Sequence, residues 1–154
     1  MTRKFSVFPL EMSPGFIIHR LDSTLSSGLQ RTFLARGLDL TPEQWGILNI
    51  LWSEEGLHQS ELAVRSSKDR HNIARILQLM EKSGWIERHP DQRDKRRANV
   101  FLSPAGRKIK TELLSAVTEF LNQALAGLTE GEIAEMSRCH HLIIHNVENL
   151  QNRK

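Results

Sequence analysis

A single cysteine, Cys139, stands in the 154 residues, so no intramolecular disulfide can form. The chain must rely on an apolar core, which at this length buries roughly two thirds of the surface that the unfolded chain would expose. The same scarcity favours a reducing compartment, and the expected localisation is cytoplasmic. Long apolar runs are missing as well. The longest, around Ile47-Leu48-Asn49-Ile50-Leu51-Trp52, is far short of the ~20 residues needed to cross a bilayer, and Met1 to Leu10 lacks a signal peptide's apolar core. Also absent are a phosphate-cradling glycine loop, a His-Glu-x-x-His pair and a Gly-x-Ser-x-Gly elbow. No enzyme and no cofactor is therefore expected. Neither an internal repeat nor a low-complexity stretch interrupts the chain.

What is present is charge, unevenly spread. The net charge is +3, yet between Arg65 and Arg97 ten Lys or Arg face five acids, which makes that window +5 and leaves the remainder at −2. A local basic field is what a polyanion partner requires, because each cation placed on a phosphate releases counterions. A solubilising face would carry the same charge, so the field alone does not decide.

Helix starts are legible from polar caps followed by proline or by an acid or amide three residues on. Ser13-Pro14 opens a helix whose Ile17, Leu21, Leu25 and Leu29 recur every four positions, with Phe33 near the same stripe. Thr41-Pro42-Glu43-Gln44 is both a proline start and a capping box, and leads into Trp45, Leu48, Leu51 and Trp52. Ser103-Pro104 opens a segment with Ile109, Leu113, Val117, Phe120 and Leu121, and Thr129-Glu130-Gly131-Glu132 caps a last helix. Its apolar seam runs Ile133, Met136, His140, Ile143, Val147, Leu150, spaced 3, 4, 3, 4, 3.

Two shorter helical patterns, about His58 to Arg65 and Lys68 to Lys82, meet at a break at Ser66-Ser67, which is helix-turn-helix spacing. Glycine at Ser83-Gly84 supplies the left-handed turn that closes the second. Trp85 to His89 and Ala98 to Leu102 are short β-prone runs across a charged loop containing Pro90, as in an antiparallel hairpin. The expected fold is mainly α with a small β-hairpin wing: a winged helix-turn-helix lobe over 41–102, with long helices over 12–36 and 103–150.

A helix fits the major groove of B-DNA and a narrow charged loop can reach the neighbouring minor groove. Arg70, His71, Asn72 and Arg75 occupy the first two turns of the second short helix, with Lys68 just before it, while Ile73, Ile76, Leu77 and Met80 face the other way. Arg can bond guanine, and Asn adenine, in bidentate fashion. At the hairpin tip, Asp91 and Asp94 are placed to brace Arg96 or Arg97, leaving Arg93 and Lys95 to project; an Arg so projected suits a narrow minor groove. Lys68, Arg70, His71, Asn72, Arg75, Arg93, Lys95, Arg96 and Arg97 are the expected contacts to double-stranded DNA.

These segments resemble the MarR family of bacterial transcription regulators. The resemblance lies in Leu40-Thr41-Pro42-Glu43-Gln44-Trp45, Glu61-Leu62-Ala63, Met80 to Arg88, and Asp91-Gln92-Arg93-Asp94-Lys95-Arg96 running on to Leu102-Ser103-Pro104-Ala105-Gly106. It implies an obligate homodimer in which the first and last helices interlock and two DNA-reading lobes meet a pseudo-palindromic operator. It further implies repression relieved by a small, often aromatic or anionic, effector bound between the dimer helices and the lobes. The matching positions are near His19, Arg20, Trp45 and Leu48, although an aromatic beside aliphatics also reads as core. One departure is His58, where the family often starts the helix with Ser or Thr; imidazole caps less well, and its protonation would loosen that helix. Two other readings stay open: a dimeric winged-helix adaptor that binds protein, and a metal- or redox-sensing regulator. His141 and His145 share one helix face with Cys139 and His140 nearby, but no carboxylate pair completes a tetrahedral set, so no metal ligand is assigned and Cys139 reads as structural.

Overall fold

Of the caps named above, Thr41, Ser103 and Thr129 form side-chain hydrogen bonds that fix where a helix begins, whereas Ser13 forms none. The computed structural model describes residues 9–91 and 97–151. After a single 3-10 turn at Leu10–Met12, Pro14 in the first turn starts α1 (Pro14–Ala35). At α2 (Pro42–Ser53), Thr41 Oγ1 accepts from the Gln44 amide at 3.2 Å and Gln44 Oε1 accepts from the Thr41 amide at 2.8 Å. The order continues β1 (Leu57–His58), α3 (Gln59–Arg65), α4 (Arg70–Lys82), β2 (Ile86–Pro90), β3 (Ala98–Leu102), α5 (Pro104–Lys108), α6 (Lys110–Ala124) and α7 (Glu130–Gln151). The segment expected to run as one helix from Ser103 is therefore divided at Ile109.

Compact packing divides the chain into two units, the described residues up to Phe120 and those from Leu121 onward. The buried apolar core lies in the first, where α1, α2, α3, α4, the three strands and α6 all contribute. α4 shows why. Its Ile73, Ile76, Leu77 and Met80 recur at helical spacing and are buried, whereas Arg70, His71, Arg75 and Gln78 are exposed. Each such buried side chain contributes about 1.5–3 kcal/mol, enough to fix which face of the helix turns outward. In the second unit α7 buries no residue, and Leu142, Ile143, Ile144, Val147 and Leu150 are all exposed.

The turn between α3 and α4 is tight. Ser67 takes φ 53°, a left-handed conformation uncommon outside glycine, and the Lys68 amide donates to the Ala63 carbonyl at 3.0 Å. α4 then begins at Arg70 rather than Lys68, because Asp69 is its N-cap: Oδ1 accepts from the amides of His71 (2.9 Å) and Asn72 (2.8 Å).

The sheet is antiparallel with order β1-β3-β2, pairing Ile86 with Leu102, Arg88 with Val100, and Leu57 also with Val100. Its edge strand β1 holds His58, which sequence spacing placed at a helix start. Two residues carry no readable alternation, so this strand exists only through its partner β3. At the base of the hairpin, Glu55 Oε2 accepts from the Leu102 amide (3.1 Å) and from Arg107 (2.6 Å). Ser103 Oγ donates to the Gly84 carbonyl (2.5 Å) and accepts from the Gly106 amide (3.0 Å), while Trp52 Nε1 donates to the Gly106 carbonyl (2.9 Å).

Gly106 is buried in this junction, and a Cβ there would stand 2.1 Å from the Trp85 carbonyl oxygen. Gly106→Ala is expected to lower unfolding free energy by about 1–3 kcal/mol in urea titrations, since backbone on both sides must shift. A second expectation concerns Asp69, whose carboxyl lies below its usual 3.8, chiefly because the Asn72 amide donates to it, with the His71 amide adding and desolvation opposing. A lowered folded-state value means that the cap contributes fully above 3.8 and is lost as pH falls through that lower value. The melting-temperature gap between the unsubstituted chain and Asp69→Ala, followed by circular dichroism, should be constant at neutral pH and shrink below 3.8.

Candidate nucleic-acid interface

The buried stripe of α4 leaves its opposite face to carry the polar side chains, and the Asp69 cap sets the height at which they start. Arg70 and His71 are exposed, and the Arg70 guanidinium has no hydrogen bond or ion pair among the described residues. Arg75 Nη2 donates to Asn72 Oδ1 at 3.1 Å and lies 3.8 Å from Glu43 Oε2. The other oxygen of Glu43 accepts from Lys68 Nζ at 2.6 Å. Exposed ion pairs of this type contribute about 0–1 kcal/mol, so their consequence is orientation rather than stability.

Beside α4 lies a recess of about 520 Å³ lined by His58, Gln59, Ser60, Arg70, Arg88, Arg97 and Val100, among others. Three guanidinium groups thus come from α4, β2 and the strand-side foot of the hairpin. Arg88 is held by Glu81, its Nε donating to Oε2 at 2.8 Å. The foot is closed by the Asp91 amide donating to the Arg97 carbonyl at 3.0 Å. Asp91 Oδ2 accepts from Asn99 Nδ2 at 3.3 Å and lies 3.7 Å from His58 Nε2, which ties the start of α3 to the hairpin. With Arg88 occupied by Glu81, Arg70 is the arginine of this recess that no hydrogen bond or ion pair among the described residues engages, and an Arg so placed suits a phosphate.

His58 therefore sits differently from the expectation of a weak cap. Glu61 Oε2 accepts from its amide at 2.7 Å, but the imidazole makes no return bond, and Nδ1 is buried without a partner among the described residues. The helix start depends on Glu61, so protonation of the ring would not remove a cap bond.

Of the expected DNA contacts, Lys68, Arg70, His71, Asn72, Arg75 and Arg97 are described; Arg93, Lys95 and Arg96 lie outside the described residues. Lys68 is half-buried against Glu43 rather than projecting. Of the expected effector contacts, Leu48 is fully buried and Trp45 packs on the core with its Nε1 unpartnered. His19 and Arg20 are exposed on α1, and no hydrogen bond or ion pair joins them to Trp45. On α7, His141 Nδ1 meets the Ser137 carbonyl (2.8 Å), His145 Nε2 meets Asn149 (2.9 Å), and no three His, Cys, Asp or Glu among the described residues are grouped to hold a metal. Cys139 is half-buried, its thiol 3.5 Å from Glu135, whose carboxyl is lowered to about 2, chiefly by Arg138.

Sequence reasoning missed two members of this surface. Glu43 read only as part of a capping box, because its partners lie 25 and 32 residues away and no local spacing joins them. Arg88 read as a strand residue, since only the pairing of β2 with β3 turns it toward the recess.

Residues 38–97, which hold this surface, match the sequence profile of the MarR family. The chain is 29% identical over 113 residues to YybA, an uncharacterised helix-turn-helix transcriptional regulator of Bacillus subtilis, covering 73% of this chain and 75% of that one. It is similar in structure to a probable transcriptional regulator from Pseudomonas aeruginosa, with 31% identity, TM-score 0.74, and 89% of this chain and 98% of that one covered. A cysteine-to-serine mutant of Escherichia coli MarR, solved with operator DNA, aligns with TM-score 0.77 at 25% identity over 84% of this chain and 91% of its own. With the profile falling on the helix-turn-helix and hairpin, and the likeness extending over nearly all of a solved regulator, the chain belongs to the MarR family of winged helix-turn-helix transcription regulators.

Proposed function

We propose that this protein is a sequence-specific DNA-binding repressor, with α4 in the major groove and the hairpin in the adjacent minor groove. The observation that carries the reading is that Arg70, His71 and Arg75 are exposed opposite the buried stripe of α4, and that Arg70 also lines the recess bordered by Arg88 and Arg97. Arg75 and Asn72 read base edges, and His71 lies beside them. Arg70 and Arg97 take backbone phosphate at the recess, Lys68 adds charge before the helix, and Arg93, Lys95 and Arg96 extend the contact by their place in the sequence. The co-structure of the related E. coli protein with operator DNA supports the same use of the lobe over 41–102.

The working unit is a homodimer on a pseudo-palindromic operator, assembled through 12–36 and 103–150. Supporting this are the exposed Ile17, Ile18 and Leu21 of α1 and, separately, the exposed apolar residues of α7, more than a solitary small chain ordinarily leaves to water. A small aromatic or anionic effector relieves repression near Trp45, whose indole N–H lacks an acceptor among the described residues, with the exposed Arg20 and His19 of α1 available to an anion and Leu48 in the core behind. A regulator that meets DNA in a bacterial cell works in the cytoplasm, and no helix among the described residues is long and apolar enough to cross a membrane.

Two measurements test the reading. In fluorescence anisotropy, Arg75→Ala should lose about tenfold or more in discrimination between a selected duplex and a scrambled one, whereas Arg70→Ala should weaken both alike and flatten the salt dependence by about one counterion. A chain that binds no duplex at low salt would remove the proposal and favour a protein-binding adaptor. Sedimentation equilibrium should return twice the 17.7 kDa of one chain; a monomer at micromolar concentration contradicts the dimer.

A further inference from the structure

We propose that Glu43 is a positioning residue that sets how selectively α4 reads DNA, an inference that rests on the DNA-reading role proposed for that helix. An acid on a surface that meets phosphates is unfavourable for affinity, because the like charges repel. This one is nevertheless fixed there. It lies in the first turn of α2, whose start is closed by the Thr41–Gln44 capping box. From that place one carboxylate reaches two cations, Lys68 through Oε1 at 2.6 Å and Arg75 through Oε2 at 3.8 Å.

The consequence falls on Arg75. Its Nη2 is held from its own helix by Asn72 Oδ1 at 3.1 Å and faced from α2 by Glu43. With more than half of its side chain exposed, Arg75 would otherwise sample many rotamers and follow any passing phosphate. One hydrogen bond from Asn72 and the carboxylate charge of Glu43 at 3.8 Å bias the guanidinium toward one orientation, as bidentate contact with a base edge requires. Lys68 is neutralised by the same carboxylate, so the approach to α4 carries less unspecific attraction. Selectivity gained through a repulsive group that penalises the wrong partner more than the right one is a general device of specific interfaces. The exposed Glu43–Arg75 pair contributes little to stability.

The test uses the full chain, a duplex enriched from a random pool by the unsubstituted protein, and a scrambled duplex of equal length, titrated by fluorescence anisotropy over a salt series. Glu43→Gln should bind the scrambled duplex more tightly, with a salt slope steeper by about one, and its ratio of selected to scrambled affinity should fall about tenfold. Glu43→Asp, which keeps the charge, should retain the ratio within about threefold, and circular dichroism melts should show both variants folded, since Glu43 is half-exposed. In an Arg75→Ala background, Glu43→Gln should still tighten scrambled-duplex binding through the released Lys68 but lose most of its effect on the ratio, because the residue that reads the base edge is gone. An unaltered ratio for Glu43→Gln in the otherwise unsubstituted chain, or an equal fall in both backgrounds, overturns the proposal. Failure of the unsubstituted protein to enrich any duplex instead removes the DNA-reading role of α4, and this proposal with it.

Discussion

Burial of one stripe of α4 is the constraint on which the rest of the surface depends. Ile73, Ile76, Leu77 and Met80 are at most 2% exposed, and a rotation of the helix by about one residue's turn would bring charged side chains into their place. Transferring an unpaired charge to that interior costs far more than any surface contact returns. The orientation of Arg70, His71 and Arg75 toward solvent is therefore a by-product of core packing, and the Asp69 cap adds only the starting point. In this sense the interface is specified by residues that never reach it.

The hairpin is attached to the same core by polar groups rather than by size. Two strands in isolation are marginal in water, yet β3 is paired on both edges, by β1 and by β2. Its end is latched by Glu55, Ser103 and Arg107, and Gly106 lets the chain pass against the Trp85 carbonyl where no Cβ fits. These bonds satisfy backbone groups that would otherwise be buried without partners, which is the expensive alternative. At the half-buried foot of the hairpin the pairs among Asp91, Asn99 and His58 have a geometric role, joining the start of α3 to the foot of the wing. Surface ion pairs around α4 act likewise, aligning cations that would otherwise be free to wander.

Much of this was legible in the chain because it depends on neighbours a few residues apart. Thr41, Ser103 and Thr129 cap the helices they were expected to cap, with Thr129 Oγ1 accepting from the Glu132 amide at 3.3 Å. The apolar stripe of α4 follows from the 3.6-residue period, and the hairpin from β-prone runs on either side of a charged loop. What escaped the sequence shares a different property. β1, the half-buried state of Lys68 and the recess beside Arg88 arise from contacts between separate elements.

By itself, then, the sequence determined the kinds of element, their order and the charge that one segment carries, since caps, periodicity and composition act locally. Only the tertiary structure decided which cations share a hollow, that Leu48 is core, that the His58 ring borders the wing while its amide bonds Glu61 at the start of α3, and that Glu43 faces both Lys68 and Arg75. The physical reason is that those relations are set by packing between separate elements, across 25 and 32 residues in the case of Glu43, where no spacing rule connects one side chain to another.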